Sequence, residues 1–253
     1  DSVRAVSPEG AEAVLPLDRF LSHIAPRRLD TGSAILPDGV KAIVPGREAM
    51  VVVHETPPRI FNLKWISADS PADFGSGTTY RPVRIALPYV IVMAVFRILP
   101  DGAPRLSSRN ECFFRTEPLR SLDDPLLFPA LLNCSRFDPP DDRPLSWICT
   151  QHLKGMRQRL EEMKDAQADA NELIRRGLHD LLNCLFETGF NRSSEHHETS
   201  SWFSESARAD ERIATIENWE AATTADPNFV LDVPWLEVGS SVREVTQRIF
   251  EHL

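Results

Sequence analysis

Phe128-Pro-Ala-Leu-Leu-Asn-Cys134 and, after a Pro/Asp-rich interval, Trp147-Ile-Cys-Thr-Gln-His152 decide how this 253-residue chain is read. Strand-like segments precede the pair and a long stretch of helical periodicity follows it. Asn133, a polar loop and Cys149 therefore fall where a sheet gives way to a helical layer. That combination suits acyl transfer, in which a thiolate attacks a carbonyl carbon and a side-chain amide meets the developing oxyanion.

Upstream, Ala11, Val14, Leu17, Phe20, Leu21 and Ile24 recur at helical spacing, so the sequence predicts an amphipathic helix from about Glu9 to Ile24, closed by Pro26 and Gly32. From Ser33 to Phe114 the period changes. Pro37-Asp-Gly39 and Pro100-Asp-Gly102 read as turns between runs of β-formers, and Pro57-Pro58 separates Met50–His54 from Ile60–Ile66. Arg81–Ile98 is apolar, rich in β-branched residues and bent at Pro88. These runs predict an antiparallel β-meander, with Asp69–Gly77 as an exposed loop.

Thr116–Trp147 carries six prolines and reads as irregular, a length that inside a domain usually serves function. Leu153, Met156, Leu160, Met163, Ala166, Ala170, Ile174, Leu178, Leu181 and Leu185 then predict one long helix, or two broken near Gly177. Asn191–Ser206 is Ser/Glu/His-rich and reads as a mobile loop. Beyond it lie a helical pattern through Ile213, Ile216 and Trp219, an alternation at Phe229, Leu231, Val233 and Trp235 that predicts a strand, and a capping box at Ser241 and Glu244. The expected fold class is α+β: N-terminal helix, antiparallel meander, long active-site loop and C-terminal helices. The expected division is a core over 1–190 and a C-terminal helical extension over 191–253.

Composition bounds the partners. Hydrophobic residues make up 42% and charged residues 26%, as in an ordinary globular chain, while 20 prolines exceed average usage. The net charge is −9 with no basic block, which argues against sequence-independent nucleic-acid binding. No apolar run reaches the length of a membrane span and no secretory pattern is present, so no membrane partner and a cytoplasmic location are expected. Cys112, Cys134 and Cys184 each sit among large apolar residues, the pattern of reduced, buried thiols.

Cys149 follows a polar loop and precedes the helical stretch, where N-terminal N–H groups would favour its thiolate. The competing reading is a core cysteine behind Trp147 and Ile148. Asn133 could donate to an oxyanion or simply bond its own turn. Asp138, Asp141 and Asp142 are candidates for orienting or deprotonating an acceptor, against the simpler reading of a solvated acidic turn. His152, three residues after Cys149, raises a thiol-hydrolase alternative, but no distant segment marks a base. Glu195-His-His-Glu198 with His179 lacks metal-ligand spacing, so neither a metal nor an organic cofactor is expected. Trp147 could wall the site or lie against a bound polypeptide tail.

From about Ile35 to Phe186 this order of elements, with Pro129…Asn133 and Trp147-Ile-Cys-Thr150, resembles the ubiquitin-conjugating enzyme family. The closer resemblance is to its divergent prokaryotic members in bacterial ubiquitin-like conjugation operons. The resemblance implies that Cys149 accepts a ubiquitin-like protein as a thioester from an adenylating (activating) enzyme and passes it to an acceptor. It also implies that Asn133 supports the loop or the oxyanion, and that the setting is antiviral or stress-linked. The chain departs from the family pattern in three ways. Phe128 stands where a histidine is expected, three residues separate Pro129 from Asn133, and the Asn133–Cys149 interval is about twice the usual length. The alternative is a catalytically inactive relative that binds a modifier or partner as a scaffold.

Overall fold

The computed structural model describes residues 2–6, 12–16, 37–66, 80–129, 134–136, 145–148, 150, 169–187, 189–191 and 208–253. Its first strands, β1 (Ser2–Val6) and β2 (Glu12–Pro16), pair antiparallel with Ser2 opposite Pro16. The helix expected over Glu9–Ile24 is therefore corrected over Glu12–Pro16. A helix continuing through Pro16 would lose an N–H and meet the pyrrolidine ring, a cost of about 3 kcal/mol that a strand end avoids. The rest of that expectation lies outside the described residues.

The remaining strands, with one parallel pairing among them, build an antiparallel, curled sheet, and the chain is mixed α+β. β3 (Val40–Pro45) pairs with β4 (Ala49–Thr56), which pairs with β7 (Tyr89–Ile98). Between them β5 (Arg59–Ile66) pairs with β6 (Tyr80–Leu87). The register runs unbroken from one pair to the other: Thr56 faces Val90, and three residues further along each strand Arg59 faces Leu87. β4–β5 and β6–β7 are thus the two arms of one hairpin, bent where Pro57-Pro58 lies opposite Pro88. Prolines cannot donate to a ladder, so the sheet parts there and its outer half curls away.

β7 hands on to β8 (Pro104–Leu106) and to β9 (Glu111–Arg115). Thr116–Trp147, expected to be irregular, holds three short strands among its described residues: β10 (Pro125–Leu127), β11 (Cys134–Arg136) and the start of β12 (Ser146–Ile148). Three residues between prolines are too few to show a period of two. β13 (Gly189–Asn191) lies parallel to β5, and β14 (Glu237–Ser241) pairs with β10.

Both faces of the main sheet are covered, which is why Met50–Val53 and Val90–Phe96 read as continuous apolar runs. On one face Val52, Val92, Ala94 and Phe96 join Ile174, Leu178 and Leu181 of helix α1 (Ala170–Glu187) and Trp219 of helix α2 (Ile216–Ala225). On the other, Val51, Val53, Ile91, Met93 and Val95 meet Val242, Val245 and Ile249 of helix α3 (Val242–Glu251). Ser241 and Glu244 close the expected capping box at the head of α3.

α1 runs straight through Gly177, where a break was one reading of the sequence. A Cβ there would come within 2.7 Å of the Phe96 ring, so the glycine serves a close helix–sheet approach. The strand expected over Phe229–Trp235 is also corrected: Pro227–Leu231 is a 3-10 turn capped by Asp226, whose carboxylate accepts from the Asn228 N–H. α2 covers the free edge of β6. Thr223 Oγ1 accepts from the Ala86 N–H, Trp219 Nε1 donates to the Ala86 carbonyl and Glu220 accepts from the Arg84 N–H, all at 2.9 Å. A strand edge that would otherwise invite pairing with another chain is thereby satisfied. Among the described residues no helix is long and apolar enough to cross a membrane.

Candidate functional site

Asn133, Asp138, Asp141, Asp142, Cys149 and His152 lie outside the described residues, as do residues 195–198. The structure describes the backbone that carries Cys149 as far as Ile148 and resumes at Thr150. That approach is β12. It is held by a cluster at the start of β9 that the sequence reading did not single out.

β12 meets β9 through a single facing pair, Trp147 with Glu111, and pairs on its other side with β11. So short a ladder gives weak attachment, and side chains supplement it. The Glu111 carboxylate is 1% exposed, and one of its oxygens accepts the N–H groups of Leu145 at 3.1 Å and Ser146 at 3.4 Å. The Asn110 carbonyl accepts from the Ile148 N–H at 2.9 Å, and Trp147 Nε1 donates to the Ser108 carbonyl at 2.6 Å. Four hydrogen bonds thus fix residues 145–148 to residues 108–111.

Asn110 is fully buried and does two further things. Its Oδ1 accepts from the Val95 N–H, and its Nδ2 donates to the Ser107 carbonyl. Val95 lies in the gap between the β7 residues that pair with β8 and those that pair with β9, so the Asn110 amide fills a break in the ladder. A neutral amide with its groups satisfied is an inexpensive buried polar residue; a carboxylate is not.

Burial pushes the Glu111 carboxyl up to about 7, against the pull of the Ser146 and Leu145 N–H groups and of the Arg248 charge from α3. The signal that could have found Glu111 is positional. It shares a strand face with Phe113, inside the β9 run Glu-Cys-Phe-Phe-Arg, where an apolar residue would be expected. Trp147, expected to wall the site, is half-buried, with its indole N–H spent on Ser108.

His54 and Glu55 are among the other polar groups buried in the sheet. His54 Nε2 lies 3.1 Å from the Asp38 carbonyl, and Gly39 turns there at φ 83°, where a Cβ would come within 2.5 Å of the His54 ring. Burial holds the His54 imidazole below its ordinary value, opposed by that hydrogen bond. Glu55 is paired with Lys41 at 2.8 Å and accepts from the Leu119 N–H. Cys112, Cys134 and Cys184 are buried, as expected. Among the described residues no three His, Cys, Asp or Glu side chains are grouped to hold a metal, and His179 shares a hydrogen bond with Asn183.

Two grooves lie away from β12. One of about 310 Å³ is lined by Val44, Leu122, Thr246 and Phe250, and one of about 630 Å³ by Arg47, Arg97, Ile98 and Leu253 among others. Neither includes a residue from 145–148, so they do not identify a substrate site for Cys149. Comparison with protein-family models, with curated proteins and with solved structures finds no match to this chain.

Proposed function

We propose that the chain is a ubiquitin-conjugating-enzyme-like acyl carrier in which Cys149 bears a ubiquitin-like protein as a thioester. The observation that carries this reading is the attachment of residues 145–148 to the start of β9. A nucleophile that directly follows a strand held by four hydrogen bonds has a fixed origin for its backbone, the condition for holding reacting atoms at near-attack distance. The order of elements supports it too, with an antiparallel sheet before Cys149 and a packed helix after it.

The chemistry needs no cofactor. The Cys149 thiolate attacks the carbonyl carbon of the incoming thioester, a new S–C bond forms and the activating enzyme's thiolate leaves. An acceptor amine or hydroxyl then attacks the same carbon, loses its proton, and Cys149 leaves as thiolate. Asn133 would meet the oxyanion, and Asp138, Asp141, Asp142 or His152 would take the proton. Trp147 would flank the modifier's tail. The partners are a ubiquitin-like protein, an adenylating enzyme and an acceptor whose identity the residues do not specify.

One observation favours the second reading, an inactive scaffold. Phe128, where the family carries a histidine, is buried at 5% exposure and its N–H donates to the Leu236 carbonyl, so it is a packing residue. A loading assay separates the two. The protein, ATP, and an adenylating enzyme and a ubiquitin-like protein from a bacterial conjugation operon are run on a non-reducing gel. A thiol-sensitive shift that disappears in Cys149→Ala is the expected result. No shift, with the adenylating enzyme active, selects the scaffold.

A further inference from the structure

We infer that Glu111 is a positioning residue for Cys149: its buried carboxylate anchors β12 through the Leu145 and Ser146 N–H groups and so sets the strand from which the thiol is presented. The inference rests on the reading of Cys149 as the thioester residue. It starts from an unfavourable choice. Glu111 shares its strand face with Phe113, a member of the apolar cluster that includes Leu145, Val245 and Ile249. An apolar side chain would fill that space without the cost of desolvating a carboxylate.

What the carboxylate supplies is directional. One oxygen takes both N–H groups at the point where the chain enters a three-residue strand. β12 has one facing pair with β9, so the carboxylate provides the attachment that a longer ladder would otherwise give. Cys149 follows three residues after Ser146, so loosening this anchor loosens the described backbone that leads to it. Arg248 of α3 bears on the carboxylate through its charge.

The test uses the full chain and a small acyl donor, acetylglycine benzyl thioester, with transfer to Cys149 followed by intact mass and peptide mapping. Iodoacetamide reports the accessibility of the same thiol. Glu111→Leu keeps the bulk but accepts no hydrogen bond; Glu111→Gln keeps an acceptor oxygen without the charge. In Glu111→Leu the maximal acylation rate should fall at least about tenfold, with half-saturation and the iodoacetamide rate within about threefold of wild type. In Glu111→Gln all three should stay within about threefold. A folded Glu111→Leu that acylates at the wild-type rate overturns the inference. So does a Glu111→Gln as slow as Glu111→Leu.

If Glu111→Leu does not fold, Ser146→Pro removes one of the two donors at the first residue of a strand, where proline is tolerated. It should show the same loss of maximal rate, and a wild-type rate there overturns the inference. Amide exchange at Leu145 and Ser146 separates failure of the anchor from failure of the thioester reading. Rapid exchange of both in the wild-type chain removes the anchor whatever Cys149 does. Protected amides beside a Cys149 that is alkylated but never acylated keep the anchor and remove the thioester.

Discussion

A buried carboxylate leaves a thermodynamic signature that geometry alone does not. Glu111 titrates at about 7 in the folded chain and near 4.5 when unfolded, so between those values the folded chain binds the extra proton. Stability conferred by the neutral carboxyl is present below pH 4.5 and is lost as pH rises through 7. At 1.36 kcal/mol per unit, the full span is about 3 kcal/mol. His54 works in the opposite sense, because its imidazole is held below its ordinary value and stability is lost as pH falls through that value. Comparing wild type with Glu111→Gln cancels the His54 contribution, which both share. The expected outcome in urea titrations is a variant similar to wild type at pH 5 and more stable than it by up to about 3 kcal/mol at pH 8. A constant difference across that range would mean that Glu111 does not titrate there. The sequence offers only the positional signal that Glu111 shares a strand face with Phe113; its burial and titration were not legible there. Its burial depends on α3, more than a hundred residues away.

At the scale of elements, features fixed within a few residues were legible and those fixed by a distant partner were not. Ser241 and Glu244 read as a capping box because donor and acceptor are three residues apart, and the structure closes it. Pro57-Pro58 and Pro88 read as interruptions because proline acts on its own backbone. Gly177 was ambiguous because its partner is Phe96 in β7. That pairing yields a prediction with competing terms. Alanine in place of a helical glycine gains up to about 1 kcal/mol from propensity. Here its Cβ would lie 2.7 Å from the Phe96 ring, whose side chain has no exposed surface and no room to withdraw. Overpacking of that kind costs about 1–3 kcal/mol, so Gly177→Ala should destabilise by about 1–2 kcal/mol net. Phe96→Leu should make the same substitution less costly. Denaturant midpoints for the two single variants and the double variant measure the coupling. Additive effects would mean that the ring and the helix do not touch.

The whole molecule closes around its sheet from both sides late in the chain. Residues 191–253 were set apart in the sequence as a C-terminal helical extension, of which Asn191 and residues 208–253 are described. In the structure they supply cover to both faces: Trp219, Phe229 and Trp235 on the side of α1, and Val242, Val245 and Ile249 on the other. β14 also adds a strand beside β10, which in turn pairs with β9. A chain ending at Leu236 would lose β14 and α3 and uncover Val51, Val53, Ile91, Met93, Val95 and Phe113. The three side chains lost from α3 alone contribute about 1.5–3 kcal/mol each, a sum comparable to the total stability of a typical domain, about 5–15 kcal/mol. The truncated chain should therefore show no cooperative thermal transition and should bind a hydrophobic dye that the full chain does not. Cooperative melting of the truncated chain would mean that the sheet closes without α3. The same energetics limits how a partner surface in this region can be mapped. Deletions would remove the core along with the surface, so binding must be tested with substitutions at exposed positions such as Glu217 or Arg243, whose ion pairs with Arg81 and Asp123 lie at the surface.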